Sequence, residues 1–126
     1  MGLKFIKIAV VYLVIGALLG YVMGITQKFQ LAPVHAHLLL LGWASLALAG
    51  LVYHFYPDAA RTRLARVHFW LHNLGLPVFM VGLGFLLTGN EAMTPLVIVG
   101  ASGVIVGLFL FAANVLVNIK TASTVA

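Results

Sequence analysis

The chain has 126 residues, 63% hydrophobic and only 7% charged, a balance that excludes a soluble domain with a solvated surface. There is no cysteine, which excludes disulfides, iron–sulfur clusters and thiolate zinc sites. The formal charge of +5 would suggest nucleic acid for a soluble protein, but in a chain dissolved in lipid the basic residues at helix ends report orientation instead.

Four apolar stretches, at about 5–25, 34–56, 64–87 and 95–119, each approach the roughly 20 residues that span a ~30 Å hydrocarbon core. Lys4 and Lys7 precede the first, as in a cleaved signal peptide. Its apolar run from Ile8 to Ile25 exceeds a signal core, and no small-x-small cleavage site follows, so a retained helix is expected. Ile6 stands where a myristoylation signal has Ser or Thr. Pro33 opens the second stretch, where a missing N–H costs little, and Pro57-Asp58 closes it. Thr88-Gly89-Asn90 ends the third stretch, Met93-Thr94-Pro95 starts the fourth, and a polar tail from Lys120 finishes the chain. Loops this short make consecutive helices antiparallel neighbours, so the expected fold is an all-α membrane protein, one four-helix up-down transmembrane bundle over residues 1–126.

If the helices alternate, Lys4, Lys7, Arg61, Arg63, Arg66 and Lys120 share one side and Lys28 lies alone on the other. Both termini are therefore expected in the cytoplasm, and a bacterial inner membrane is the expected location. Gly16, Gly20 and Gly24 recur every four residues on the first helix, and Gly100, Gly103 and Gly107 form a similar smooth face on the fourth. Such stripes let backbones approach closely, and packing within the chain is preferred to an oligomer seam. Pro77 is expected to kink the third helix.

Five histidines accompany only nine charged residues, and titratable side chains within a span usually face a bundle interior, a cavity or a cofactor. His54 lies near the basic end of the second helix, where snorkelling explains it. His35 and His37 are two residues apart, so at ~100° per residue their rings leave the helix toward nearly opposite sides. Gly42 follows His35 by seven residues and Ala44 follows His37 by seven, which leaves room for a flat ring on each face. A porphyrin needs an axial imidazole and a missing side chain beside it, and Leu38, Leu39, Leu41 and Trp43 supply contact walls. Two histidines bonded to backbone carbonyls or serine in a dry bundle are the structural alternative.

His68 and His72 lie one turn apart on one face of the third helix. At 1.5 Å per residue, His37 and His72 differ in height by about 12 Å, whereas two axial nitrogens at ~2 Å from one iron lie about 4 Å apart. One haem cannot take both without a large tilt. His68 and His72, with Asn73 and Arg66 nearby, stay open between a packing or hydrogen-bonding role and a second site for quinone or a proton path.

The run His35-Ala-His37-Leu-Leu-Leu-Leu-Gly42-Trp, continuing through Ala49-Gly50-Leu-Val-Tyr-His-Phe-Tyr-Pro57, resembles the tenth helix of haem-copper oxidase subunit I. Leu64-Ala-Arg-Val-His68-Phe-Trp70, followed by Gly75, resembles the start of that subunit's next helix, so the likeness covers about half the chain. In that family the first histidine of the pair binds the high-spin haem and the second the low-spin haem, on a fold of twelve helices in three arcs of four. A four-helix chain resembling one arc implies a homotrimer closed by cyclic contacts. His35 of one protomer and His37 of the next are then expected as axial ligands of one haem b, with Gly42, Ala44, Leu38, Leu41 and Trp43 around it.

There is no adjacent His-His pair, no further histidine helix to supply the copper site and no c-type attachment motif, so oxygen or nitric oxide reduction by this chain alone is not expected. The family's arginine pair for haem propionates is also missing, leaving Lys28, Gln27 and Gln30. The expected function is electron transfer by a membrane b-type cytochrome, since two imidazoles fill both axial positions. Its partners would be membrane lipid, further copies of the chain, and a quinone or respiratory-chain redox partner, with no nucleic acid. The alternatives are a haem-based gas-binding or reductase-like protein, and a haem-free accessory or assembly protein of an oxidase. A proton or ion carrier is less expected, because the only acids, Asp58 and Glu91, lie in loops.

Overall fold

The computed structural model describes residues 1–120, all of whose regular structure is helical; the polar tail expected after Lys120 lies outside them. Helix α1 spans Gly2–Thr26. Helix α2 spans Ala32–Phe55, and a one-turn helix α3, Pro57–Ala60, follows it. Helix α4 spans Arg63–Leu87, and α5, Thr94–Asn118, is entered through a 3-10 turn at Glu91–Met93. Four of these, α1, α2, α4 and the segment containing α5, are long and apolar enough to cross a membrane.

The distribution of side chains suits lipid rather than water. Leu18, Phe109 and Leu116 are 59%, 70% and 82% exposed, while His68, His72 and Asn114 are fully buried. In hydrocarbon, large apolar side chains lose nothing by facing outward, and polar groups gain from partners inside.

The helix ends follow local chemistry. Gln27 takes a left-handed conformation, with φ 56°, and stops α1, while its side-chain amide donates to the Gly24 carbonyl at 2.6 Å. Pro57 does more than close α2. It holds Tyr56 out of the helical region, at φ −126° and ψ 76°, and then opens α3 as its first residue. Thr62 caps α4, its hydroxyl accepting the Ala65 amide at 3.1 Å. Helix α4 continues through Pro77 without a break.

Both glycine stripes pack inside the chain. A Cβ on Gly16 would lie 2.7 Å from Leu39 of α2, and one on Gly20 would lie 2.6 Å from the His35 ring, whereas Gly24 faces open space. On α5, Gly100 meets the backbones of Phe79 and Gly75, and Gly107 sits where a Cβ would be 3.4 Å from the His72 amide. Helices α4 and α5 thus run backbone against backbone.

Two core clusters tie the four long helices together. Near the basic end, Phe5 of α1 packs its ring 5.2 Å from Tyr53 of α2 and 5.1 Å from His68 of α4, and Phe111 of α5 lies 5.1 Å from His68. Toward the Lys28 end, Val34 and Leu38 pack with Leu76, Met80 and Val104.

One departure from regular helix matters for the site. From Leu38 to Ala44, α2 widens into a π turn. The Ser45 amide bonds the carbonyl of Leu40, five residues back, and the Ser45 hydroxyl donates to the same oxygen at 2.7 Å. The Leu41 carbonyl is thereby released from its usual donor four residues on.

Candidate histidine site

His35 and His37 sit in the last regular turn of α2 before the π turn, and their rings diverge. His35 is half-buried and lies against α1, where its Nδ1 is 2.8 Å from the carbonyl oxygen of Gly16. His37 is also half-buried, but it turns toward α4, with its ring centroid 5.1 Å from that of Phe79. Its Nδ1 is 2.6 Å from the carbonyl of Pro33, one turn back on its own helix.

These contacts fix the tautomers. A carbonyl oxygen can only accept, so each Nδ1 carries the proton and each neutral ring presents its Nε2 lone pair. Neither Nε2 has a hydrogen-bond partner among the described residues, and neither is among the buried atoms left unpaired. A ring held through Nδ1–H to a backbone carbonyl, with Nε2 free and accessible, is the arrangement that orients histidine toward a metal.

The residues expected to wall a flat ring are distributed differently. The space beside Gly42 is filled by Tyr12 of α1, whose Cγ would lie 2.5 Å from a Cβ built there. Leu38 is buried in the core, and Trp43 and Leu41 pack partly buried against the two clusters. Ala44 closes the π turn. The seven-residue spacing that set Gly42 beneath His35 and Ala44 beneath His37 assumes regular α-helix. His35 and Gly42 nevertheless both meet α1, and it is the Tyr12 ring that closes the space between them.

His68 and His72 do something that spacing alone did not disclose. The Tyr53 hydroxyl is 2.9 Å from His68 Nδ1, His68 Nε2 is 3.3 Å from His72 Nδ1, and His72 Nε2 is 2.8 Å from the Leu41 carbonyl. With neutral rings only one direction is possible. Leu41 accepts, so His72 donates through Nε2; His68 then donates through its own Nε2, and Tyr53 donates to His68 Nδ1. All four ring nitrogens are engaged, leaving no lone pair for a metal, and among the described residues no group of three or more metal-binding side chains exists. No motif in the sequence singles out Tyr53 as the partner of His68. Its position fifteen residues before His68, across a tight α2–α4 connection, was the available signal.

Two other histidine and amide positions complete the inventory. His54 is exposed at the end of α2 with its ring 5.2 Å from Phe55. Asn114 is buried on α5, donating to the Ala59 carbonyl at 3.0 Å and accepting from Asn118 at 2.8 Å. No protein-family model, curated protein or solved structure matches the chain.

Proposed function

We propose that the chain is a membrane b-type cytochrome in which His35 of one protomer and His37 of a neighbouring protomer are the two axial ligands of haem b within a homotrimer. The observation that carries this reading is the shared state of the two imidazoles: Nδ1–H on a carbonyl, Nε2 unpaired and not fully buried. Because His35 leaves α2 toward α1 and His37 toward α4, one chain does not aim both lone pairs at one point. Two copies can. The resemblance of residues 34–75 to haem-copper oxidase subunit I, whose three arcs of four helices three such chains would match, supports the trimer.

Bound haem supplies a one-electron couple at its iron, and bis-imidazole ligation leaves no open position for substrate. The chain's own residues orient the ligands: Gly16 and Pro33 hold the rings through their carbonyls, and Phe79 backs His37 edge-on. A groove of about 250 Å³ lined by Leu19, Met23, Lys28, Gln30, Leu31 and Thr88 begins one turn outward of His35. Lys28 and Gln30, beside the hydroxyls of Thr26 and Thr88, would meet the haem propionates there. The basic ends of α1 and α4 support a cytoplasmic side for both termini, in a bacterial inner membrane on this reading, with a quinone or respiratory-chain protein as redox partner.

The deciding experiment is absorption spectroscopy with a pyridine haemochrome count on protein purified after expression with ample haem. One haem b per chain is expected, with the low-spin spectrum lost in His37→Ala. An unchanged spectrum in that variant removes the assignment. A second reading, a haem-free accessory protein, is favoured by Tyr12 filling the space beside Gly42 and by His35 packing on its own α1. A colourless preparation would select it.

A further inference from the structure

We infer that Tyr53, His68 and His72 are positioning residues: together they form a strut that holds the π turn of α2 open and thereby sets the rotation of the segment carrying His35 and His37. The inference deepens the cytochrome reading, and rests on it for the purpose that this rotation serves.

The strut begins and ends on the same helix. Tyr53 and Leu41 are twelve residues apart on α2, on either side of Ser45, and the His68–His72 pair of α4 joins them by three hydrogen bonds of 2.9, 3.3 and 2.8 Å. The carbonyl at which it ends is the one the π turn releases, because the Ser45 amide and hydroxyl both go to Leu40. An unpaired carbonyl in a dry bundle is costly, because no water is there to replace the lost donor. His72 removes that cost, so the wide turn and the histidine stabilise one another.

The turn has a geometric consequence at its outer end. A hydrogen bond drawn to the fifth residue instead of the fourth adds one residue to the turn, which rotates everything beyond it by up to about 100° relative to a continuous α-helix. His35 and His37 lie immediately beyond it. In the observed rotation His35 reaches Gly16 and His37 meets Phe79. If α2 relaxed to regular helix, those two contacts would not both survive.

A relay that delivers protons toward the middle of the membrane would use the same groups, but this one terminates on a carbonyl, which accepts and cannot pass a proton on. The saturated ring nitrogens likewise leave nothing for a metal. What remains is mechanical: the pair is buried completely, wedged among Phe5, Tyr53 and Phe111, with Gly107 of α5 giving it room.

The test uses the full chain in phosphatidylcholine bilayers, comparing His72→Leu with His72→Gln by solid-state NMR of ¹⁵N-labelled histidine and by titration with haem. In the unaltered protein without haem, His68 and His72 are expected protonated at Nε2, and His35 and His37 at Nδ1. His72→Leu should erase the Nδ1–H pattern of His35, whose bond crosses to Gly16 of α1, leave that of His37, which is bonded to Pro33 within its own turn, and weaken haem binding about tenfold or more. His72→Gln should restore both, because its side-chain amide can donate to Leu41 but does not ligate haem iron. Should His72→Leu not fold, Tyr53→Phe removes only the first donor and should shift the same His35 signal. Unchanged signals in the folded variants, or no rescue by Gln, overturn the strut. If the unaltered protein takes up no haem while the signals still respond, the strut stands and the cytochrome reading falls.

Discussion

The imidazole of His35 lies directly on Gly20, and a Cβ built on that glycine would be 2.6 Å from the ring's Cε1. Four residues away on the same stripe, Gly24 has nothing within 4 Å. Gly20→Ala should therefore push the ring off α1, lengthen its bond to Gly16 and destabilise the bundle by about 1–3 kcal/mol, the range for overpacking. Gly24→Ala should leave stability and the His35 tautomer unchanged. Unfolding in micelles followed by circular dichroism, together with ¹⁵N-histidine spectra, measures both effects, and equal behaviour of the two variants would contradict the packing described.

The α4–α5 seam offers a second paired comparison. Gly100 abuts the Phe79 and Gly75 backbones, which cannot give way as a flexible side chain can, whereas Gly84 faces open space. Alanine is favoured over glycine in helix interiors by about 1 kcal/mol. Gly84→Ala should accordingly be neutral or stabilising. Gly100→Ala should lose about 1–3 kcal/mol despite the same propensity gain, read from unfolding midpoints of the two variants side by side.

The spans were legible because four runs of apolar residues need no partner to declare themselves: the helices begin and end within three residues of the expected limits. Local signals such as Pro33 and Thr88-Gly89-Asn90 act through a few neighbouring atoms, so they too could be read directly. The π turn could not. It depends on a donor from His72, thirty-one residues away, and no property of Leu38–Ala44 alone requires it. Gly42 does share the α1 face with His35, and the expected vacancy is closed there by Tyr12, a contact between helices that no local signal in Leu38–Ala44 discloses. The divergence of His35 and His37 depends only on their spacing within one regular turn, and both lie before the irregularity.

Tyr53 and His68 should be energetically coupled. Tyr53 is 2% exposed and His68 is fully buried, so neither group finds water if the other is removed. Tyr53→Phe leaves His68 Nδ1 without its donor, and His68→Phe leaves the hydroxyl without its acceptor. The double variant leaves neither. Unfolding of the two single variants and the double in micelles should give a coupling of about 0.6–1.7 kcal/mol, the span for interhelical hydrogen bonds in membranes. Additive losses would mean that the 2.9 Å contact contributes nothing to stability.

Asn73 presents the opposite case, a polar group whose removal should help. Its amide nitrogen donates to the Phe69 carbonyl on its own helix at 2.8 Å, while Oδ1 is buried without a partner. The backbone adds to the deficit, since Pro77, four residues on, has no N–H to offer the Asn73 carbonyl. An unsatisfied buried acceptor costs about 1–3 kcal/mol, and an apolar residue of similar size removes that cost. Asn73→Leu should raise the unfolding midpoint of the isolated chain in micelles, and Pro77→Ala should raise it independently by returning a donor to the carbonyl. A fall in the midpoint on Asn73→Leu would instead mean that Oδ1 has a donor in the assembled protein, which cross-linking of the chain in bilayers before and after the substitution would then locate between subunits.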